Sequence, residues 1–295
     1  GAEPSALSRA ELVQTPQDAT AGKLVDIATP AETEYARVGG YLVDGDRLIV
    51  SAFDYYDASG DQVRSHLLTD VSMGSSGEVQ AISKEIPARW LGGPMAHIPD
   101  AWQHAFGSDT YIGGLAGVAI ASNSSVGPAA ATFSLDTFSG SNPATLVVGY
   151  PLSQPLDVPD EQSDLWNLTA TVTGIVFPEG SSSVLFFGAM GVGEYCYGTG
   201  AECEDPTDSS KGTHAFPYRY QVWAYDAAEL AQVAMGERSP ESLRPYDHWE
   251  LDLPTPASSY SLTGTAYDAA TNRIFVAQEF AEGTNPVVHV FGVPG

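Results

Sequence analysis

Three segments of the chain repeat one pattern: a glycine start, a short apolar strand, a polar turn and a longer β-rich strand. They read GGYLVDGDRLIVSAF (39–53), GIVFPEGSSSVLFFG (174–188) and GTAYDAATNRIFVAQEF (264–280), with a more distant relative, GLAGVAIASNSSVGPAAATF, from Gly114. A strand–turn–strand pattern that recurs at this scale is one supersecondary unit used several times. The sequence therefore predicts an all-β fold of the β-propeller type.

The spacing of the repeats predicts the size of the array, which we expect to have four or five blades. Residues 1–30 look like the outer end of a blade, so the chain is expected to begin within one. Because the last segment (262–293) provides three strands and then stops, we expect the N-terminal strand to pair with it and close the ring. No linker interrupts the chain, which predicts a single domain over residues 1–295. The repeat starts, whose glycines would let the inner strands crowd the axis, fall near Gly39, Gly113, Gly174 and Gly264.

Helix signals are few. Residues 99–107 (PDAWQHAFG) predict a short helix with Pro near its start and Gly at its end. Residues 226–235 predict another, with Asp226 as the N-cap and Glu229 in the position of a capping box. The segment RYQVWAYD (219–226) alternates polar and apolar residues, which is typical of a strand.

The charge of the chain excludes two classes of partner. The net charge is −25, from 37 acidic and 12 basic residues. Such a chain repels nucleic-acid phosphates and anionic lipid surfaces, and no stretch approaches the roughly 18 apolar residues of a membrane helix. Two interpretations of the charge stay open: solubility or adaptation to a salty medium, and a surface that selects cationic or calcium-bridged ligands.

The two cysteines, Cys196 and Cys203, lie close together in the sequence CYGTGAEC. A loop this short and glycine-rich can close a disulfide, which would indicate an oxidising compartment. The alternative is a pair of free thiols in a cytosolic protein. With the disulfide, we expect a secreted, periplasmic or cell-surface protein.

The densest polar cluster occupies residues 205–220. In a structural interpretation, Asp205 and Asp208 cap turns and the basic residues neutralise them. In a second interpretation, the same two carboxylates bind calcium, although their spacing differs from that of an EF-hand loop. No other cofactor is indicated, and none is required. The cluster contains Asp205, Asp208, Lys211, His214, Tyr218 and Arg219.

A third interpretation of this cluster is a glycan-processing site. Lys211 and Arg219 would hold an acidic polysaccharide while His214 or Tyr218 moves a proton, as in a lyase. Alternatively, Asp205 or Asp208 would act with a carboxylate elsewhere, such as Glu194 or Asp54, because glycoside hydrolysis needs two carboxyl groups about 5–10 Å apart.

A second cluster follows the first repeat directly and contains Tyr55, Tyr56 and His66. One interpretation is packing between blades. The other is a platform on which sugar rings stack, since aromatic rings offer an apolar face with a polar edge. Adjacent residues of a strand point to opposite faces, so we expect at most one of the two tyrosines to face a pocket.

The chain resembles a family of exported bacterial β-propeller proteins over roughly residues 8–293. The resemblance depends on RVGGYLVDGDRLIVSAFDYYD, SVGPAAATFSLD, GIVFPEGSSSVLFFGAMGVGEYCYG and, most specifically, DPTDSSKGTHAFPYRYQVWAYD. It implies the fold and export from the cytoplasm, but no reaction.

Two classes of function remain at this point. The first is a binding or scaffold module that recognises a glycan or a protein partner outside the cytoplasm. The second is a carbohydrate-active enzyme, a polysaccharide lyase or glycoside hydrolase, with its site near residues 194–220 facing residues 54–66. The binding module is favoured because no catalytic motif is complete.

Overall fold

A computed structural model describes residues 13–14, 37–62, 64–70, 79–82, 86–117, 120–135, 141–256 and 258–293. The predicted outer blade strand within residues 1–30 lies outside these ranges, apart from residues 13–14. The strands are β1 (Val13–Gln14), β2 (Arg37–Asp44), β3 (Arg47–Phe53), β4 (Arg64–Asp70), β5 (Val79–Ile82), β6 (Met95–His97), β7 (Tyr111–Gly114), β8 (Ala130–Phe133), β9 (Ser141–Asn142), β10 (Ala144–Val148), β11 (Thr171–Val176), β12 (Ser183–Gly191), β13 (Cys196–Gly198), β14 (Gly212–His214), β15 (Tyr218–Asp226), β16 (Asp247–Glu250), β17 (Leu262–Asp268), β18 (Arg273–Glu282) and β19 (Asn285–Gly292).

The helices of the described residues are short, and none is long and apolar enough to cross a membrane. The predicted helix at 99–107 is present as α2 followed by a 3₁₀ turn. The predicted helix at 226–235 is present as α4, and the Asp226 side chain caps it by accepting a bond from the Ala228 amide. The α-helices are α1 (Ala88–Leu91), α2 (Asp100–Gln103), α3 (Gly200–Cys203) and α4 (Ala227–Ala234), and the 3₁₀ turns are His104–Phe106, Ala121–Asn123 and Pro240–Ser242.

The strands form four larger sheets in chain order, which confirms the prediction of an all-β fold. Within each sheet, neighbouring strands are antiparallel except for the parallel pair β5–β9. The predicted pairing of the two chain ends is present: Val13 pairs with Gly292 and Gln14 with Phe291. In strand order, the first sheet is β2-β3-β4-β5-β9, the second β6-β7-β8-β10, the third β11-β12-β15-β16 and the fourth β17-β18-β19-β1, while β13 and β14 form a separate ribbon.

The first strands of the four sheets (β2, β6, β11 and β17), here called the inner strands, line one channel. Two adjoining cavities of about 460 and 500 Å³ make up this channel, and both include Tyr41, Met95 and Thr265 in their walls. Residues near the starts of the inner strands line the first cavity, and residues near their ends line the second. The inner strands therefore run in one direction, from a loop end, where they begin, to a turn end, where they finish.

The repeated glycines allow close approach at the inner strands. In β2, β11 and β17 the pairing register shifts by one residue just before Gly40, Gly174 and Gly264 respectively. A Cβ atom at Gly174 would overlap the side chain of Thr265 on the neighbouring inner strand β17. A larger residue at this position requires the Thr265 side chain or one of the two strands to shift.

The repeat start expected near Gly113 is wrong by one strand. Gly113 lies in β7, the second strand of its sheet, and the inner strand is the short β6. The connection between β6 and β7 contains α2 and a 3₁₀ turn instead of a short polar turn. This insertion hides the hairpin pattern that marks the other three inner strands.

Hydrophobic cores lie between consecutive sheets. One cluster contains Ile49 of the first sheet and Phe133 of the second, another Val148 of the second and Trp223 of the third, and another Leu185 of the third and Ile274 of the fourth. Strand β15 is buried on both faces, because its sheet lies between two others. The simple polar–apolar alternation expected for residues 219–226 therefore does not describe its burial.

The fourth and first sheets meet differently. The described residues form no comparable apolar cluster between them; instead, Phe275, Ala277 and Val288 of the fourth sheet line the same cavity as Val38 and Tyr41 of the first. Val38 is 46% exposed and Tyr41 50%. In the described part of the chain, the fourth and first sheets are thus joined along a cavity wall where side chains stay partly exposed.

Candidate functional site

The long connections at the loop end are held together by hydrogen bonds between sheets. Arg89, from α1, donates to the carbonyl oxygens of Asp54 and Tyr55 at 3.1 and 3.0 Å. Asn123 donates to the carbonyl oxygen of Ala58 at 2.6 Å. The turn that carries Tyr55 is thus fixed by residues from the connection between β5 and β6 and from the connection between β7 and β8.

The predicted disulfide between Cys196 and Cys203 is present, with the two Cα atoms 5.7 Å apart. It joins β13 to α3, and β13 pairs with β14 through Cys196 and His214. The disulfide and the ribbon together frame the loop between β12 and β15, where most of the predicted site residues lie.

Asp205 lies at the centre of a closed hydrogen-bond network. One carboxylate oxygen accepts bonds from the Thr207 amide (2.8 Å), the Thr207 hydroxyl (2.7 Å) and the Asp208 amide (3.1 Å). The other accepts from the Tyr218 hydroxyl at 2.7 Å and lies 3.2 Å from Nδ1 of His214. The side chain of Asp205 is fully buried, so these partners replace its hydration.

His214 completes this network from the other side. Its Nε2 lies 3.0 Å from the carbonyl oxygen of Ser210, while its Nδ1 faces the Asp205 carboxylate. Both neighbours can only accept, so a hydrogen on either ring nitrogen points at one of them. His214 is buried as well.

The network affects the ionisation of its members. Burial alone would raise the pKa of Asp205, but the bonds from Thr207, Tyr218 and His214 outweigh burial and lower this pKa to about 2. Burial and the bond to Asp205 raise the pKa of Tyr218. The side chains of Asp205, His214 and Tyr218 are in contact with one another through their polar atoms. The arrangement therefore agrees best with the structural interpretation of this cluster.

The other predicted residues of the cluster lie on the surface around this network. Asp208 is exposed and accepts a bond from the Ser210 amide at 2.8 Å. Arg219 donates to Gln221 and to the Asp164 carbonyl oxygen. Glu194 and Lys211 are exposed, and no described side-chain bond joins either to the Asp205 network.

Calcium binding at Asp205 and Asp208 finds no support in the geometry. The Asp205 carboxylate already faces N–H and O–H donors on both oxygens, whose positive hydrogens would compete with a cation. Within the described ranges, no group of three or more His, Cys, Asp or Glu side chains could hold a metal ion.

The second predicted cluster is divided by the fold. Tyr55 and Tyr56 lie in a turn after β3, so both rings are exposed, at 40% and 72%, instead of pointing to opposite faces of a strand. Their rings pack edge to face with centroids 4.8 Å apart, and the Arg37 guanidinium lies 5.5 Å from the centre of the Tyr55 ring. His66 is different: it is fully buried in β4, 5.1 Å from the Phe133 ring. A ligand on the two tyrosines would not reach it.

A site that sequence reasoning missed lies at the turn end of the channel. This turn-end cavity, of about 500 Å³, receives residues from all four sheets, including Tyr41, Asp100, Phe177, Glu179 and Tyr267. The repeats themselves carried a signal for it. An acidic residue follows each inner strand or ends it, namely Asp44, Asp100, Glu179 and Asp268.

Any function assigned to the chain depends on the contacts of its own residues. In comparisons with known proteins, no family model matches the chain, and no curated protein matches it at a significant level.

Proposed function

We propose that the protein is a β-propeller binding module of four or five blades that works outside the cytoplasm and recognises a glycan at its loop end. Four consecutive sheets with their first strands around one channel support the propeller. The disulfide supports an oxidising compartment, because cytosolic thiols are kept reduced.

The exposed pair Tyr55–Tyr56 is the observation that supports glycan binding. Both rings stand on a turn that is fixed in several ways: Arg89 and Asn123 bond its carbonyl oxygens, and the Asp57 carboxylate accepts from the amides of Asp61 and Gln62. A rigid aromatic surface loses little conformational entropy when a ligand binds. Sugar rings stack on such surfaces through their apolar C–H faces.

The enzymatic alternative has less support. A lyase or hydrolase centred on Asp205, His214 and Tyr218 would need at least one of them free to exchange a proton with substrate. All three are engaged with one another, and the first two are buried. A neutral glycan also fits better than an acidic one, because a net charge of −25 repels polyanions.

The test is retardation of the purified protein on gels that contain neutral or acidic polysaccharides, with and without calcium, followed by sizing of the polysaccharides. We expect retardation by a neutral polysaccharide, chains of unchanged length, and loss of retardation in the double variant Tyr55→Ala/Tyr56→Ala. Met235→Ala, which trims a side chain of similar exposure (59%) on the end of α4, serves as the matched control. Shortened chains would favour the enzyme, and absence of binding across the panel would favour a protein partner.

A further inference from the structure

The turn-end cavity combines aromatic walls with uncompensated negative charge. Tyr41, Phe177 and Tyr267 contribute rings from the first, third and fourth sheets, and Asp100 and Glu179 contribute carboxylates from the second and third. No Lys or Arg is among the described residues that line it. A volume of about 500 Å³ lies within the range of small-molecule sites, roughly 300–1,000 Å³.

The four carboxylates at the ends of the inner strands divide into two kinds. Asp44 is bonded to Arg47 and to the Tyr111 hydroxyl, and Asp268 accepts from the Thr271 hydroxyl at 2.6 Å within its own turn. These two are occupied by protein groups and do not line the cavity.

The other two carboxylates line the cavity, and no ion pair between described side chains engages them. Asp100 accepts one bond, from the Gln103 amide at 3.0 Å. The backbone amide of Glu179 donates to the Tyr267 hydroxyl. No bond to the Glu179 carboxylate is found among the described residues. The His97 ring, also in the wall, is bonded to the Val43 carbonyl oxygen at 3.0 Å, and its centre lies 5.5 Å from that of the Tyr111 ring. No Lys or Arg in the described lining therefore lies beside Asp100 and Glu179.

We propose that the turn-end cavity binds a small organic cation, with its ammonium group near Asp100 and Glu179 and among the rings of Tyr41, Phe177 and Tyr267. Aromatic faces attract ammonium groups by cation–π interaction, and the attraction grows when the cation leaves water. A carboxylate beside the same group adds a charge-assisted contact. The whole molecule favours such a ligand, since its net charge of −25 raises the local concentration of cations.

Choline is the probe. The control compound is 3,3-dimethylbutan-1-ol, which has the same shape without the charge. In isothermal titration calorimetry we expect saturable binding of choline and none of the alcohol at equal concentrations. Trp102, whose ring lies 6.0 Å from that of Phe177, locates the binding: the fluorescence change on adding choline should disappear in Trp102→Phe. Equal binding of the two probes, no binding of choline, or an unchanged signal in Trp102→Phe would each overturn the proposal.

The carboxylates are tested by variants that keep their size. Glu179→Gln and Asp100→Asn should each weaken choline binding about tenfold, the equivalent of about 1.4 kcal/mol. Glu161→Gln removes the same charge from an exposed position on the connection between β10 and β11, at the loop end, and should leave the affinity within about twofold. An equal loss in all three variants would indicate attraction by net charge alone and would contradict a site in the cavity.

Discussion

At the scale of single residues, two buried ionisable side chains differ in charge: one is buried in its ionised form and the other in its neutral form. Asp205 keeps its charge, because hydrogen-bond donors surround both carboxylate oxygens. His66 loses its charge because burial lowers its pKa and its Nε2 has no hydrogen-bond partner among the described groups, while Nδ1 lies 2.8 Å from the Ser65 hydroxyl. The first side chain should therefore stabilise the fold through its ionised form, and the second through its neutral form.

The Asp205 network leads to a prediction about stability. Asp205→Asn replaces an acceptor with a donor opposite Tyr218 and His214 and so disrupts two contacts of a buried network, which should lower the free energy of unfolding by about 3 kcal/mol. Asp208→Asn, at an exposed position where an amide oxygen can still accept from Ser210, should change it by less than about 0.5 kcal/mol. Urea unfolding followed by circular dichroism measures both. Equal stability of the two variants would mean that the network contributes little.

The burial of His66 predicts a dependence of stability on pH. Burial lowers the pKa of His66 from 6.5 to about 3. The unfolded chain therefore takes up a proton below pH 6.5 while the folded chain does not, so stability is complete above pH 6.5 and falls as the pH decreases towards 3. Between pH 7 and pH 5 the loss should be about 2 kcal/mol.

The comparison of two histidine variants isolates this contribution. His66→Leu should unfold with a smaller loss between pH 7 and pH 5, whereas His104→Gln, which alters an exposed histidine, should keep the full slope. Urea midpoints at the two pH values give the difference. If His66→Leu retains the slope of the unaltered protein, other groups cause the pH dependence.

At the scale of elements, the inner strands depend on glycine for their packing. Gly174→Ala would place a methyl group in the space of the Thr265 side chain, and the overlap should cost about 2 kcal/mol. Gly212→Ala, in β14, adds the same methyl group where no atom lies within 4 Å and should be nearly neutral. Thermal unfolding should therefore show a lower Tm for the first variant only. Adding Thr265→Gly to Gly174→Ala should recover part of the loss, and failure to do so would place the strain elsewhere.

The repeats made three of the four inner strands predictable from the sequence. Each has a glycine at the register shift and a short polar turn at its end, and these local signals persist in the fold. The fourth, β6, could not be predicted in this way, because only three residues form it and helical residues replace the turn.

The contacts of Asp205 with His214 and Tyr218 were foreseeable from their closeness in sequence. The turn-end cavity was not, because Asp100 and Glu179 belong to different sheets and meet only through the arrangement of the sheets.

At the scale of the whole molecule, negative charge opposes the compact state. The chain has 37 acidic and 12 basic residues. Ion pairs between described side chains engage only a few of the acids, as in Arg47–Asp44, Arg219–Asp164 and Arg238–Glu229. The remaining carboxylates repel one another more strongly in the folded protein than in the expanded chain.

This repulsion predicts that salt stabilises the protein. Raising the ionic strength from about 0.01 to 0.15 M shortens the Debye length from about 30 to 8 Å, which should screen the repulsion and raise the Tm by several degrees. Sodium chloride and sodium sulfate, compared at equal ionic strength by scanning calorimetry, separate screening from the exclusion of sulfate from the protein surface. Equal shifts in the two salts would indicate screening. A shift in sulfate alone would indicate surface exclusion, and the net charge of −25 would then matter little for stability.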